Sequence, residues 1–197
     1  MVRAPSNFDH IGLHRRSAIQ AGLAASNATH FLYIDLDHLL RWFENDVSEL
    51  SDVVRQISAH DFSVIGRGQQ AFTQLPERLS TTESIVNRIY TLVTGDDWDL
   101  LMAARGMSRQ AAQVVVHRST IDHIGNDLDW PLLCRANGYQ LHYVEADGLT
   151  YETEKNYGEG RVDQLDLDAE AWATRVDIAA LHVSAIRPYM TTGHSPQ

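Results

Sequence analysis

Two pairs of carboxylates carry the clearest chemical potential in this sequence. The first is Asp35-Leu36-Asp37, directly after the apolar run 31-FLYI-34. Residues two apart in an extended chain point the same way. Two carboxylates there can hold a divalent cation through their oxygens. Such a cation would neutralise a diphosphate and help it leave. The plainer alternative is a pair of solvated turn aspartates. The second pair is Asp127 and Asp129 in 125-GNDLDW-130, ahead of an apolar helix. Acidic groups at that place stabilise the helix dipole. Equally, one of them can act as a base that takes a proton from an acceptor hydroxyl.

Four arginines could meet an anionic ligand. Arg15 and Arg16 lie upstream of the first pair, and Arg105 and Arg109 flank a loop–helix junction. The guanidinium fork suits phosphate oxygens, and a solvated helix face is the competing reading. His38 beside the first pair and His142 within a strand are further candidate ligands, or plain polar surface. No H-E-x-x-H spacing occurs, which argues against a zinc hydrolase.

The elements that must position these groups follow from periodicity. Ala18, Ala21, Gly22 and Ala25 recur at helical spacing between His14 and Ala25. Residues 31–34 read as a strand buried on both faces, with the carboxylates at the end where open α/β sheets bind ligands. A helix follows over 38–58, broken near Asp46. A second strand covers 61-DFSVIGRG-68. A helix over 83–95 closes on Gly95, and 96–108 reads as a loop. Ser108 caps a helix over 109–119. Another helix ends at Asn137-Gly138, and 139–146 form a further strand. The tail from Asp168 to Arg187 has an apolar stripe of Trp172, Val176, Ala179, Val183 and Ile186, an amphipathic helix. Strands alternating with helices predict an α/β sheet.

Composition bounds the function. The net charge of −10 with neutral histidines is unsuited to a phosphate backbone, so no nucleic acid partner is expected. The one cysteine, Cys134, excludes an internal disulfide and reads as core. No run approaches the roughly 20 apolar residues of a membrane span, and the first residues lack the apolar run of a signal peptide. A cytoplasmic protein is the expectation.

In order along the chain, these pieces resemble the GT-A-type glycosyltransferases, closest to the polyprenyl- and dolichol-phosphate sugar synthases and their soluble relatives. Residues 15-RRSAIQAGLAAS-26 leading into FLYIDLD resemble that family's basic helix and D-x-D strand. Residues 61-DFSVIGRG-68 are similar to its "D-hydrophobic-V-I-G-S-R" strand. Asp99, Arg105, Ser108 and Arg109 match its D-x-x-x-G-F-R-x-x-S-R loop, and Asp127 and Asp129 match its E-D-x-D-W acceptor motif. Ala103 stands in place of the loop glycine and Asn126 in place of an acidic residue.

The resemblance implies a three-layer α/β/α fold with a mostly parallel sheet, N-terminally shortened. It also implies inverting transfer from a nucleoside diphosphate sugar to a hydroxyl acceptor, with Mg²⁺ or Mn²⁺. Asp37 would coordinate the metal and Asp35 would assist, with Arg15, Arg16, Asp35 and Arg105 on the donor. Asp127 would be the base, and Asp129 the alternative. Glu152 or Glu154 would approach the metal in place of a missing basic residue. The family places two strands and a helix before the basic helix, and these form its nucleoside pocket. Without them the sheet has an open edge that invites a second copy of the chain. The expected organisation is an α/β domain over 1–160, a C-terminal helix over 161–187 and a flexible tail over 188–197. Two alternatives stand beside this one. The first is a non-catalytic, oligomeric glycosyltransferase-like module. The second is a haloacid-dehalogenase-type phosphatase with Asp35 as nucleophile.

Overall fold

A computed structural model describes residues 7–151 and 163–190. Glu152 and Glu154 lie outside the described residues. After a short 3-10 turn (Asn7–Asp9) come α1 (Ile11–Ala25), β1 (His30–Tyr33), α2 (Leu36–Asn45), α3 (Val47–Ile57) and β2 (Phe62–Arg67). The chain continues through α4 (Gln69–Thr73), α5 (Glu77–Thr94), β3 (Ala104–Ser108), α6 (Arg109–Arg118), α7 (Asn126–Ala136) and β4 (Leu141–Ala146). A 3-10 turn (Gln164–Leu167) leads to α8 (Ala169–Met190).

The strands form one mixed sheet in the order β1-β3-β2-β4. β3 runs antiparallel to both β1 and β2, and β4 runs parallel to β2. β1, β2 and β4 therefore point the same way, with β3 reversed between them. Helices cover both faces. Phe62 and Val64 of β2 pack with Val86 and Tyr90 of α5, Val115 of α6, Leu128 of α7 and Ile186 of α8. Ile65 faces the other way, onto Trp42 of α2 and Val53 and Ile57 of α3. This alternation is the two-residue period of a strand buried on both faces.

Local chemistry sets the boundaries. Asp46 separates α2 from α3, and its side chain accepts the Glu49 N–H at 2.8 Å. Ser108 caps α6 by accepting the Ala111 N–H at 3.2 Å. Gly95 and Gly138 follow α5 and α7 with φ of 85°, a conformation that glycine adopts without strain.

Several expectations need correction. Residues 96–108 are not all loop, because β3 occupies Ala104–Ser108. β1 is half-buried at every position rather than buried on both faces, and it has a neighbour along one edge alone. α2 begins at Leu36, so Asp37 lies in a helical turn and not in extended chain. α5 begins at Glu77, ahead of the expected 83. α8 continues to Met190 through Pro188, so residues 188–190 belong to the helix and not to a tail. The C-terminal helix packs against α5 and α7.

Candidate functional site

A cavity of about 240 Å³ opens where β1 and β2 end. Its charged wall comes from Arg15 of α1, Asp35 at the start of α2, Arg67 at the end of β2, Glu83 of α5, Asp127 of α7 and Arg175 of α8. Ile11, Leu75, Leu79, Leu101 and Met102 supply apolar surface. The C-terminal ends of co-directional strands are the usual ligand position in such sheets.

Arg15 is the hub. One guanidinium nitrogen, Nη2, donates to Asp35 Oδ2 at 2.8 Å, and Nη1 donates to Asp127 Oδ1 at 2.9 Å and Asn126 Oδ1 at 3.2 Å. Its Nε is buried without a partner. Burial alone would lower its pKa, yet Asp127 and then Asp35 hold the guanidinium above its ordinary value. The Tyr33 hydroxyl donates to Asp35 Oδ1 at 2.7 Å, so both Asp35 oxygens are engaged. Asp127 Oδ2 lies 3.3 Å from His182 Nε2 of α8. Burial pushes the Asp127 pKa up, but Arg15 and then His182 outweigh it and hold it low. A carboxylate held low is a poor proton acceptor near neutral pH.

His38 is better placed for that task. It lines the cavity beside Asp35, and its Nδ1 is buried without a partner. Burial lowers its pKa against the opposing pull of Asp37 and Asp35, so the imidazole is neutral near pH 7.

A second ion network closes the other wall. Arg67 donates through Nε and its backbone N–H to Asp99 Oδ2, at 2.7 and 3.0 Å, and through Nη2 to Asp99 Oδ1 at 2.9 Å and to Glu83. Arg175 donates to the other oxygen of Glu83 at 2.7 Å. Asp99 also accepts from Asn87 at 3.1 Å. Burial opposes ionisation of Asp99, and the adjacent Arg67 overrides it and lowers the pKa.

Of the residues expected from sequence, Arg15, Asp35 and Asp127 meet in this cavity. Four others do not line it. Asp37 is exposed in the first turn of α2. Arg16 binds the Ile121 carbonyl and Asp122, tying α1 to the loop before α7. Arg105 is buried and donates to the carbonyls of Ala104, Leu100 and Asp127 at 2.7, 2.6 and 2.9 Å, so it supports Asp127 from behind. Asp129 faces away, accepting from Ser119 at 2.6 Å and Tyr189 at 3.2 Å, and burial raises its pKa. Cys134 is a free, buried core residue, as its apolar surroundings implied.

Sequence reasoning missed Glu83, Arg175 and His182. Each sits on a helix where a polar residue reads as solvated surface, and no local spacing links them to Asp35. His38 was legible as a neighbour of Asp35, but its unpaired buried nitrogen was not.

As arranged, the described residues offer no ready place for Mg²⁺ or Mn²⁺. Asp35 is committed to Arg15 and Tyr33, Asp37 lies outside the cavity, and no three His, Cys, Asp or Glu side chains gather as a metal site among the described residues. No protein family, curated protein or solved structure matches the chain. Among the described residues, no helix is long and apolar enough to cross a membrane.

Proposed function

We propose that the cavity is the donor site of a GT-A-like glycosyltransferase domain that transfers a sugar from a nucleoside diphosphate sugar to a hydroxyl acceptor. The observation that carries this reading is the meeting of Asp35 and Asp127 on Arg15 at the end of co-directional strands. These residues stand 20 and 112 positions from Arg15. Three of the four strands run one way, although two of the three neighbouring pairs are antiparallel, so the sheet is mixed and not the mostly parallel one that the resemblance implies. Ala103 adds support: it occupies the expected loop-glycine position and has φ of 55°, in the left-handed region that favours glycine.

In this reading Asp35 accepts from hydroxyls of the donor, and Arg15 faces its phosphates. Neutral His38 takes the proton of the attacking hydroxyl. Asp127 holds Arg15 in position. Asp35 must release Arg15 before it can bind a cation.

One observation favours a second reading. Arg15 pairs with both carboxylates, which is also what a non-catalytic glycosyltransferase-like module would do. Incubation with UDP- and GDP-sugars and a mixture of hydroxyl acceptors, water included, each with Mn²⁺ or Mg²⁺ and without metal, separates the two. Release of nucleoside diphosphate that His38→Gln slows with little change in KM is the expected result. No release from any donor would contradict transfer and favour the module. Asp35-dependent hydrolysis of a generic phosphate ester would instead favour the phosphatase alternative.

A further inference from the structure

A second, more open groove of about 520 Å³ lies on the far side of Arg67 from the cavity. That volume falls in the roughly 300–1,000 Å³ range of small-molecule sites. Its aromatic surface comes from Phe72 of α4, Trp98 in the loop after α5 and Tyr143 of β4. Its polar lining includes Asn87 and Arg88 of α5, Asp97 and Glu145.

The aromatic surface is fixed in place. Trp98 and Tyr143 stack with ring centroids 5.3 Å apart and planes within 5°. The Tyr143 hydroxyl accepts the Asp99 N–H at 3.1 Å. Gly66 makes room for this ring, since a Cβ there would come within 2.4 Å of the hydroxyl. Arg67 lies over Phe72 at 5.1 Å from the ring centre. Asn87 is held at both ends of its amide, donating to Asp99 at 3.1 Å and accepting the Leu100 N–H at 3.2 Å. One N–H and one lone pair of that amide remain for a ligand. Groups locked before binding lose little entropy when they bind.

Charge selects the class of ligand. Asp99 and Arg67 neutralise one another, leaving Asp97 and Glu145 against Arg88 at the rim. That balance disfavours an anion. Rigid aromatic rings, a locked amide and the exposed rim carboxylates of Glu145 and Asp97, the latter accepting from the Thr91 hydroxyl at 3.3 Å, suit a neutral polyhydroxylated ring, whose C–H face packs on an aromatic surface while its hydroxyls pair with the rim.

We propose that this groove binds a neutral oligosaccharide, at a site separate from the donor cavity and walled from it by the Arg67–Asp99 pair. The proposal does not depend on sugar transfer. Titration of the full chain with cello-, malto- and mannotriose, without nucleotide, tests it by tryptophan fluorescence and saturation-transfer NMR. At least one trisaccharide should bind saturably. Trp98→Leu should weaken it about tenfold or more, and exposed-rim Glu145→Ala should weaken it several-fold without unfolding the chain. Asp35→Asn should bind the trisaccharide as the wild type does, which separates this site from the donor cavity. No saturable binding, or binding indifferent to both Trp98 and Glu145, would overturn the proposal. So would equal affinity for a phosphorylated trisaccharide.

Discussion

The cavity has two charged walls built from the same chemistry, and they differ in how far their carboxylates are exposed. On one wall Arg67 uses its Nε, its Nη2 and its own backbone N–H on Asp99 and Glu83, both buried. On the other, Arg15 reaches Asp127, with 5% of its side chain exposed, and Asp35, with 29% exposed, and its Nε is unpaired. The first arrangement is buried throughout its carboxylates and suits a clamp joining β2, α5 and α8, although Arg175 on that wall also keeps a buried Nε without a partner. The second sets a more exposed carboxylate, Asp35, beside open volume. A buried ion pair adds little net stability when formed but is costly to break, so the wall of buried carboxylates is structural and the wall holding the more exposed Asp35 is available to a ligand.

The largest expected effect follows from breaking the clamp. Arg67→Met leaves Asp99 as a buried, unpaired carboxylate and should cost about 3–5 kcal/mol, read by denaturant unfolding. Arg15→Met should cost less, about 2–3 kcal/mol, because Asp35 can rehydrate and Asp127 retains His182. Equal losses at the two arginines would erase the distinction between the walls.

Acid should act on both walls. Asp99 and Asp127 have folded pKa values below the ordinary carboxylate value. Their contribution to stability is therefore present above about pH 4 and is lost as pH falls below it. Asp129 has the opposite sign: its raised folded pKa contributes stability below about pH 4 that is lost as pH rises through the folded value. Asp127→Asn should therefore flatten the acid limb of the stability–pH curve, and Asp129→Asn should leave that limb in place. The smallest effect is at Ala103, on the rim between the walls. Ala103→Gly should stabilise by about 0.5–1 kcal/mol, since the left-handed backbone is retained without a Cβ.

Much of the scaffold was legible from sequence because it rests on period and punctuation. The break at Asp46, the Ser108 cap and the closing glycines were all readable one residue at a time. β3 was not. Ala104-Arg105-Gly106-Met107-Ser108 has neither an apolar run nor a clean alternation, and it is a strand because β1 and β2 pair with its two edges. Gly106 is needed there because Ile57 packs within 2.6 Å of where a Cβ would stand. The site was legible where chemistry and chain order coincided, at Arg15, Asp35 and Asp127. It failed at Asp37, where the two-residue rule for extended chain was applied one residue before a helix begins. It was silent on Glu83, Arg175 and His182, which reach the cavity or its supporting contacts through the packing of α5 and α8.

The wall that holds the more exposed Asp35 is the one that should meet a ligand. Calorimetric titration of a UDP- or GDP-sugar into wild type, Asp35→Asn and Arg175→Gln tests this directly. Saturable binding in the wild type, lost in Asp35→Asn and retained in Arg175→Gln, is the predicted result. No binding to the wild type, or binding that survives Asp35→Asn unchanged, would contradict it.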